Sequence, residues 1–416
     1  MKVAHIATSD LSLVYLLLNQ LSHFRDAGYD VTGIAARGPS AEILAGASVP
    51  FIAIPVSRRF GPLSDLRAVI ELYRILKREQ FDIVHTHTPK GGLLGQYAAL
   101  AAGIPLRVHT IHGLYFPGTM LPKHRWRYVW LERITMAFSH HNFSQNPEDV
   151  TVAVDERIVR RDRIELLGNG IDLTRFDPGS HLEGARQALR AELGFDDRTV
   201  VVGMVARLVA EKGYLEVFEA VKTVKARVPE ARFILIGGFE DKPDALTPDA
   251  LVRHGIDDVT TFLGHRDHIE RFYAAMDVFM LPSHREGFPR SVMEASAMGL
   301  PCIVTDIRGC RQTVDHEVTG VIVPPRDSGA LARALERLLI SPDLRARMGT
   351  AARAKATREF DETKIISTIL NAYRRLAPVR RPLGARLREA FRTLVREPRP
   401  PQGARVEERP KRSFFG

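Results

Sequence analysis

Two segments in the second half of the chain carry residue types suited to a phosphorylated, hydroxyl-rich ligand. The first runs Ser283-His284-Arg285-Glu286-Gly287-Phe288-Pro289-Arg290-Ser291-Val292-Met293-Glu294. It follows an apolar run, turns at Gly287 and opens a helical pattern with Pro289 near its first position. Unpaired N–H groups at such a helix start favour an anion such as a diphosphate. Glu286 in the loop and Glu294 inside the helix can face different parts of one ligand, since carboxylates accept hydrogen bonds from sugar and ribose hydroxyls. The competing reading of Glu294 is an i,i+4 surface pair with Arg290. The second segment, residues 205–213, places Arg207 and Lys212 between a strand and a helix start. Two cations there can bind a diphosphate and neutralise it as it leaves. The competing reading is two solvated surface charges, the usual fate of Lys and Arg.

The first half clusters histidines where strands should end: Val84-His85-Thr86-His87-Thr88-Pro89-Lys90-Gly91-Gly92 and His109-Thr110-Ile111-His112-Gly113. Their spacing matches no zinc-ligand pattern. Most read as structural histidines, and only His112 is singled out for the site. No Asp-x-Asp pair stands at a strand end to hold a divalent ion on a sugar diphosphate. No metal and no cofactor are therefore expected.

These residues need a scaffold that delivers strand ends to one place. Short apolar runs at residues 3–7, 31–35, 82–86 and 106–110 alternate with helical patterns. Leu13, Val14, Leu17, Leu18, Leu21 and Phe24 mark one such helical face, and residues 66–76 and 93–102 two further helices. The second half repeats the scheme, with runs at 200–205, 233–236, 261–263, 278–281, 302–304 and 321–323. Such alternation predicts doubly wound parallel sheets. Two of them leave a cleft, and ligands bind beyond the carboxyl ends of the strands. The turn-rich stretch from Gly168 to Gly179 marks the boundary. The expected division is a first domain over 1–168, a linker over 169–195, a second domain over 196–360, a closing helix over 361–377 and a basic Pro/Arg-rich tail over 378–416.

The 416 residues include only two cysteines, Cys302 and Cys310, which suits a reducing cytosol and rules out a disulfide scaffold. No apolar run is long enough to span a bilayer. Residues 3–7 read as a strand and not a signal peptide, because Thr8-Ser9-Asp10 interrupts the run. The net charge is +10, but the 37 residues from Arg380 to Gly416 hold eleven Lys/Arg against four Glu. The body is thus nearly neutral, which argues against nucleic acid as a partner.

Together the motifs resemble the retaining glycosyltransferases of family four, which have the GT-B fold of two Rossmann-like domains facing a central cleft. The Glu-x7-Glu element is Glu286 to Glu294, followed by Gly299-Leu300-Pro301 and Thr319-Gly320-Val321. Arg207 and Lys212 match the family's Arg and Lys, and Asn169-Gly170-Ile171-Asp172 its domain-linking motif. The likeness covers about residues 1–376. Thr86-His87-Thr88-Pro89-Lys90-Gly91-Gly92 and Arg308-Gly309-Cys310-Arg311 resemble a subgroup of bacterial surface-polysaccharide and lipid-linked oligosaccharide assembly. Two departures stand out. The first strand–helix loop is Thr8-Ser9-Asp10-Leu11 where many members carry Gly-Gly, and Gln312 stands where Glu is common.

The resemblance implies an acceptor-binding first domain and a nucleotide-sugar-binding second domain. It implies metal-independent transfer, with retention, of a hexose or N-acetylhexosamine from a UDP-sugar to a polyprenyl-diphosphate or glycan acceptor. Glu294 would hold the ribose, and Glu286 with the backbone of Gly287 and Phe288 the transferred sugar. Arg207 and Lys212 would stabilise the leaving diphosphate, and His112 would touch the donor sugar. Two rivals remain: another enzyme of the same fold, a sugar-nucleotide epimerase or a glycan phosphorylase (whose cofactor lysine no motif marks), and a catalytically silent nucleotide-sugar or membrane-binding protein. A lipid-linked acceptor implies a cytoplasmic protein, peripheral on the inner face of the membrane and touching its anionic surface. Two segments suit that role. Residues 124–131 interleave cations with Trp126 and Trp130. In the tail, Leu383, Leu387, Phe391, Leu394 and Val395 fall on one helical face among arginines. A core helix and a solvated charge run are the respective alternatives.

Overall fold

The strands form two all-parallel sheets in a computed structural model that describes residues 1–57, 60–114, 116, 120, 122–179, 184–239, 244–247 and 249–376, with 384, 387, 388 and 391 beyond them. The first sheet holds β1 (Lys2–Ser9), β2 (Asp30–Ala36), β3 (Phe51–Ala53), β4 (Ile83–His87), β5 (Leu106–Ile111), β6 (His141–Ser144) and β7 (Ile164–Leu166), in the order β3-β2-β1-β4-β5-β6-β7. The second holds β8 (Val200–Val205), β9 (Ala231–Ile236), β10 (Thr260–Gly264), β11 (Val278–Leu281), β12 (Cys302–Thr305) and β13 (Gly320–Val323), in the order β10-β9-β8-β11-β12-β13. In each sheet the order reverses at the first strand, which has β2 and β4, or β9 and β11, on its two sides. That switch point opens a crevice at the carboxyl ends.

The central strands are buried along nearly their whole length, β4 and β5 at every residue, because helices cover both faces. Residues 3 to 8 of β1 are all buried. The Asp10–Asp26 helix packs one stripe, Leu13, Leu17, Leu21 and Phe24, onto the sheet, and the Ser9 side chain caps its start by accepting from Ser12 N–H. The helix expected over 66–76 runs Pro62–Glu79, because Pro62 pre-sets the first turn and Gln80 leaves it in a left-handed conformation.

The chain then returns to its beginning. The Glu362–Leu376 helix buries Ile366, Ile369, Leu370 and Tyr373 in the same core as Leu13, Leu17 and Phe24. The last described helix therefore completes the first domain's core, although it follows the second domain in sequence. Within 169–195, the Ala185–Glu192 helix buries Leu189 and ties Arg190 to Asp277 at 3.2 Å, so it packs on the second domain. No helix among the described residues is long and apolar enough to cross a membrane. The tail face at Leu383, Leu394 and Val395 lies outside the described residues.

Candidate active site

The richest motif leaves β11 and enters the Arg290–Ala297 helix. Val292, Met293, Ala295, Ser296 and Ala297 face the core, which turns Arg290 and Glu294 to the cleft. Two glycines bring the domains into backbone contact there. A Cβ on Gly287 would stand 2.0 Å from the His112 carbonyl oxygen, and one on Gly113 would stand 2.6 Å from Gly287 Cα. Gly113 also has φ +120°, where other residues are strained. Only glycine closes this seam.

The cleft holds a cavity of about 760 Å³, and His112, Arg207, Lys212, Glu286, Gly287, Phe288 and Glu294 all line it. Lys212 Nζ donates to Glu286 Oε1 at 2.6 Å, and Ser283 Oγ donates to the same oxygen at 2.7 Å. Both charged side chains of that pair are about one-eighth exposed, so Lys212 is no solvated surface charge. Glu294 Oε2 accepts from the Tyr273 hydroxyl at 3.0 Å. The surface-pair alternative survives only as a 3.9 Å approach of Arg290 to a carboxylate that is 14% exposed. Burial raises the Glu294 carboxyl, with Arg290 and the Tyr273 hydrogen bond opposing it.

His112 ends a row of three rings. His5 Nδ1 lies 3.1 Å from His87 Nε2, and His87 Nδ1 lies 3.0 Å from His112 Nε2. Burial pushes His112 down to about 4, while the Gln145 side chain nearby pulls the other way. His5 falls to about 3 for the same reason, and His87 falls well below its ordinary value. All three are therefore neutral at pH 7, and a neutral imidazole has one ring hydrogen, so the hydrogens along the row point one way. His5 Nε2 has no partner among the described residues. Either direction leaves one buried N–H without a partner among the described residues, at His5 Nε2 or at His112 Nδ1. We place it on His112, which lines the cavity where a ligand can accept it, and leave His5 Nε2 as the bare lone pair. Each ring then donates outward, and His112 keeps an Nδ1–H, which also has no partner among the described residues.

Nitrogens of His5, His85 and His87 lie within 4.8 Å of one another, close enough to raise the question of a metal. His85 spends both nitrogens on Tyr373 Oη at 2.6 Å and Thr110 Oγ1 at 2.7 Å. With His5 and His87 bonded to each other, every ring nitrogen of the three except His5 Nε2 is engaged. The cluster reads as a hydrogen-bonded core.

Sequence reasoning missed several lining residues. Arg290 lines the cavity as a third cation, and His265, Arg266, Asp267 and His268 line it from the loop after β10. Their position at a strand's carboxyl end was the available signal. Gln312 acquires a clear role. It accepts from Asn146 Nδ2 at 3.1 Å and donates to Glu148 Oε1 at 2.6 Å, across the domain interface. A glutamate there would face Glu148 with like charge. Arg308 closes the same interface on Asp149 at 3.0 Å.

Comparison with known proteins agrees with this geometry. The family model "Glycosyl transferase 4-like domain" matches residues 15–170, and "Glycosyl transferases group 1" matches residues 185–355. The UDP-Gal:alpha-D-GlcNAc-diphosphoundecaprenol alpha-1,3-galactosyltransferase of Escherichia coli is 30% identical over 377 residues, covering 89% of this chain and 96% of that protein. The chain belongs to the family-four glycosyltransferases. It is accordingly a retaining glycosyltransferase that uses a nucleotide-sugar. A second relative in this family is the N,N'-diacetylbacillosaminyl-diphospho-undecaprenol alpha-1,3-N-acetylgalactosaminyltransferase of Campylobacter jejuni, 24% identical over 381 residues, which covers 90% of this chain and 99% of that one. Among solved structures, Anabaena HepE in complex with UDP and glucose superposes with a TM-score of 0.74 at 22% identity, covering 90% of this chain and all of that one. That likeness establishes the GT-B fold of this glycosyltransferase.

Proposed function

We propose that this glycosyltransferase moves a hexose or N-acetylhexosamine from a UDP-sugar to a polyprenyl-diphosphate-linked glycan, without a metal ion. The observation that carries the donor half is the gathering of Arg207, Lys212, Glu286 and Glu294 around one cavity closed by His112. The acceptor half rests on the Escherichia coli and Campylobacter jejuni relatives, whose names specify diphosphoundecaprenol-linked acceptors.

In this reading Glu294 accepts from the ribose hydroxyls, and Glu286 with the backbone at Gly287 and Phe288 holds the transferred sugar. His112 donates its Nδ1–H to that sugar. Arg207 and Lys212 face the diphosphate, where negative charge grows as the anomeric C–O bond breaks. The acceptor hydroxyl forms its new bond from the leaving-group side, and its proton passes to the departing phosphate oxygen. This scheme assigns no protein base. The Lys212–Glu286 pair suits it, since a neutral pair is cheaper to keep in a half-dry cleft than a lone ammonium. The enzyme works at the inner face of the cell membrane, with the exposed Trp126 and Trp130 turned to the lipid.

A panel of UDP-, GDP- and ADP-sugars screened by thermal shift tests the donor class, followed by UDP-release assays with a polyprenyl-diphosphate glycan. A UDP-sugar that stabilises the protein and is consumed only with the lipid-linked glycan supports the reading. Stabilisation by GDP- or ADP-sugars alone would overturn the donor assignment.

A further inference from the structure

We propose that the Glu132 carboxyl holds an acceptor hydroxyl in a second cavity, on the first-domain side of the cleft where the family resemblance already expects the acceptor. This rests on the transferase reading above and adds the residue that would bind the second substrate.

The cavity measures about 1040 Å³, at the upper end for ligand pockets. Tyr15, Leu16, Arg207 and His265 line both it and the donor cavity. Its occupant therefore lies next to the donor cavity, with Arg207 between the two.

One face of the Pro122–Phe138 helix forms part of its wall, through Tyr128, Leu131, Glu132 and Thr135. That spacing is one helical stripe. Trp126 and Trp130 leave the same helix on its exposed side. Phe60 and Phe239, each more than half exposed, add aromatic surface to the cavity. Aromatic faces suit the C–H faces of a sugar ring, leaving its hydroxyls to polar groups.

Glu132 is 5% exposed, and no hydrogen bond or ion pair holds it among the described residues. Its polar neighbour in the cavity wall, Lys90, is committed to Asp65 at 2.5 Å. A buried carboxyl without a partner costs free energy, and a leucine would fill the same space without that cost. Its chemistry makes sense when a ligand hydroxyl completes it. Burial, reinforced by Asp149, pushes the Glu132 carboxyl up to about 7. The carboxyl also selects what lies against it. A diphosphate would be repelled, so the neutral terminal sugar sits at Glu132 and the lipid diphosphate lies farther out.

Kinetics of the full-length enzyme with GlcNAc-diphosphoundecaprenol, the acceptor named for the Escherichia coli relative, tests this. The variants are Glu132→Gln and Glu132→Leu. Losing a hydrogen bond to a carboxylate should raise the acceptor KM roughly ten- to a hundredfold in Glu132→Leu, less in Glu132→Gln, with the donor KM held. The melting temperature of Glu132→Leu should match or exceed that of the wild type, which a structural carboxyl would not permit. Unchanged acceptor KM in both variants would overturn the assignment and leave the transferase reading standing. A parallel rise in donor KM, or a lowered melting temperature in both variants, would make Glu132 structural and overturn it equally. Wild-type enzyme that hydrolyses UDP-sugar yet ignores every polyprenyl-diphosphate glycan would sink the acceptor reading and this site with it.

Discussion

The two halves of the cleft are built from opposite kinds of polar group. The second domain offers full charges, Arg207, Lys212, Glu286, Arg290 and Glu294, around the donor cavity. The first domain offers rings that burial keeps neutral, His5, His87 and His112, joined in a row. Charge is worth most where charge develops during reaction, and a neutral dipole suffices for a neutral sugar hydroxyl. The glycine seam at Gly113 and Gly287 lets the two kinds meet at backbone distance. A shared fold thus sets charged groups on one side of the cleft and a row of buried neutral rings on the other.

Removing charge from the second domain should break this division most severely. Lys212→Ala and Arg207→Ala should each lower kcat by on the order of 10²–10³. Lys212 and Glu286 are one buried pair, so the double variant should lose far less than the product of the two single losses. Near-normal turnover in Lys212→Ala would make the pair a structural ion pair. Next in size is Glu294→Ala, which should raise the donor KM roughly ten- to a hundredfold and move kcat less, as lost hydrogen bonds to a carboxylate predict. Tyr273→Phe, which removes the 3.0 Å bond that steadies Glu294, should follow in the same direction with a smaller change. Equal donor affinity in all three proteins would remove Glu294 from the nucleotide.

The first domain should instead show its character against pH. The ordinary histidine value is 6.5, and burial lowers His5, His85, His87, His109 and His112 in the folded chain. The unfolded chain therefore takes up protons first as pH falls. Stability from these rings is complete above about 6.5 and drains away through the region of the His112 value near 4. The raised Glu132 and Glu294 work the other way, since their charged forms strain the fold at high pH. Melting temperatures taken from pH 7.5 down to 4.5 should fall below 6.5, and His87→Gln should flatten the slope. A flat profile in the wild type would mean the rings are charged or exposed.

The smallest effect concerns the membrane. Arg127 lies over Trp126 at 5.7 Å and Arg133 over Trp130 at 5.0 Å, on a helix that leaves both rings about half exposed. Each cation near an anionic leaflet contributes about 1 kcal/mol, lost at high salt. The protein should sediment with anionic vesicles at low salt, and a truncation ending at Val379 should bind more weakly. Identical binding of the two chains would leave the Trp126–Trp130 surface as the anchor.

Much of this was legible in the sequence, for definable reasons. The central strands of the second sheet appear as continuous apolar runs, and β8 and β11 match their runs residue for residue. The edge of the first sheet did not announce itself. β6 reads His-Asn-Phe-Ser, with polar side chains that the fold buries, and β3 and β7 are three residues long. The charged half of the site lies in two contiguous motifs, so local spacing displayed it. The neutral half is assembled by strand pairing. His5 and His85 become neighbours only because β1 and β4 pair in register, and the row from His5 to His112 runs from the middle of β1 through the end of β4 to the residue after β5. Glu132 and Gln312 matter through what faces them in space, which no local spacing encodes.

The most direct test of the account is the product itself, made by purified enzyme from a UDP-sugar and a polyprenyl-diphosphate glycan in excess EDTA. The two-cation donor site predicts an undiminished rate and a product whose anomeric configuration, read by NMR, is that of the donor. An inverted product, or a rate abolished by EDTA and restored by Mn²⁺, would contradict it.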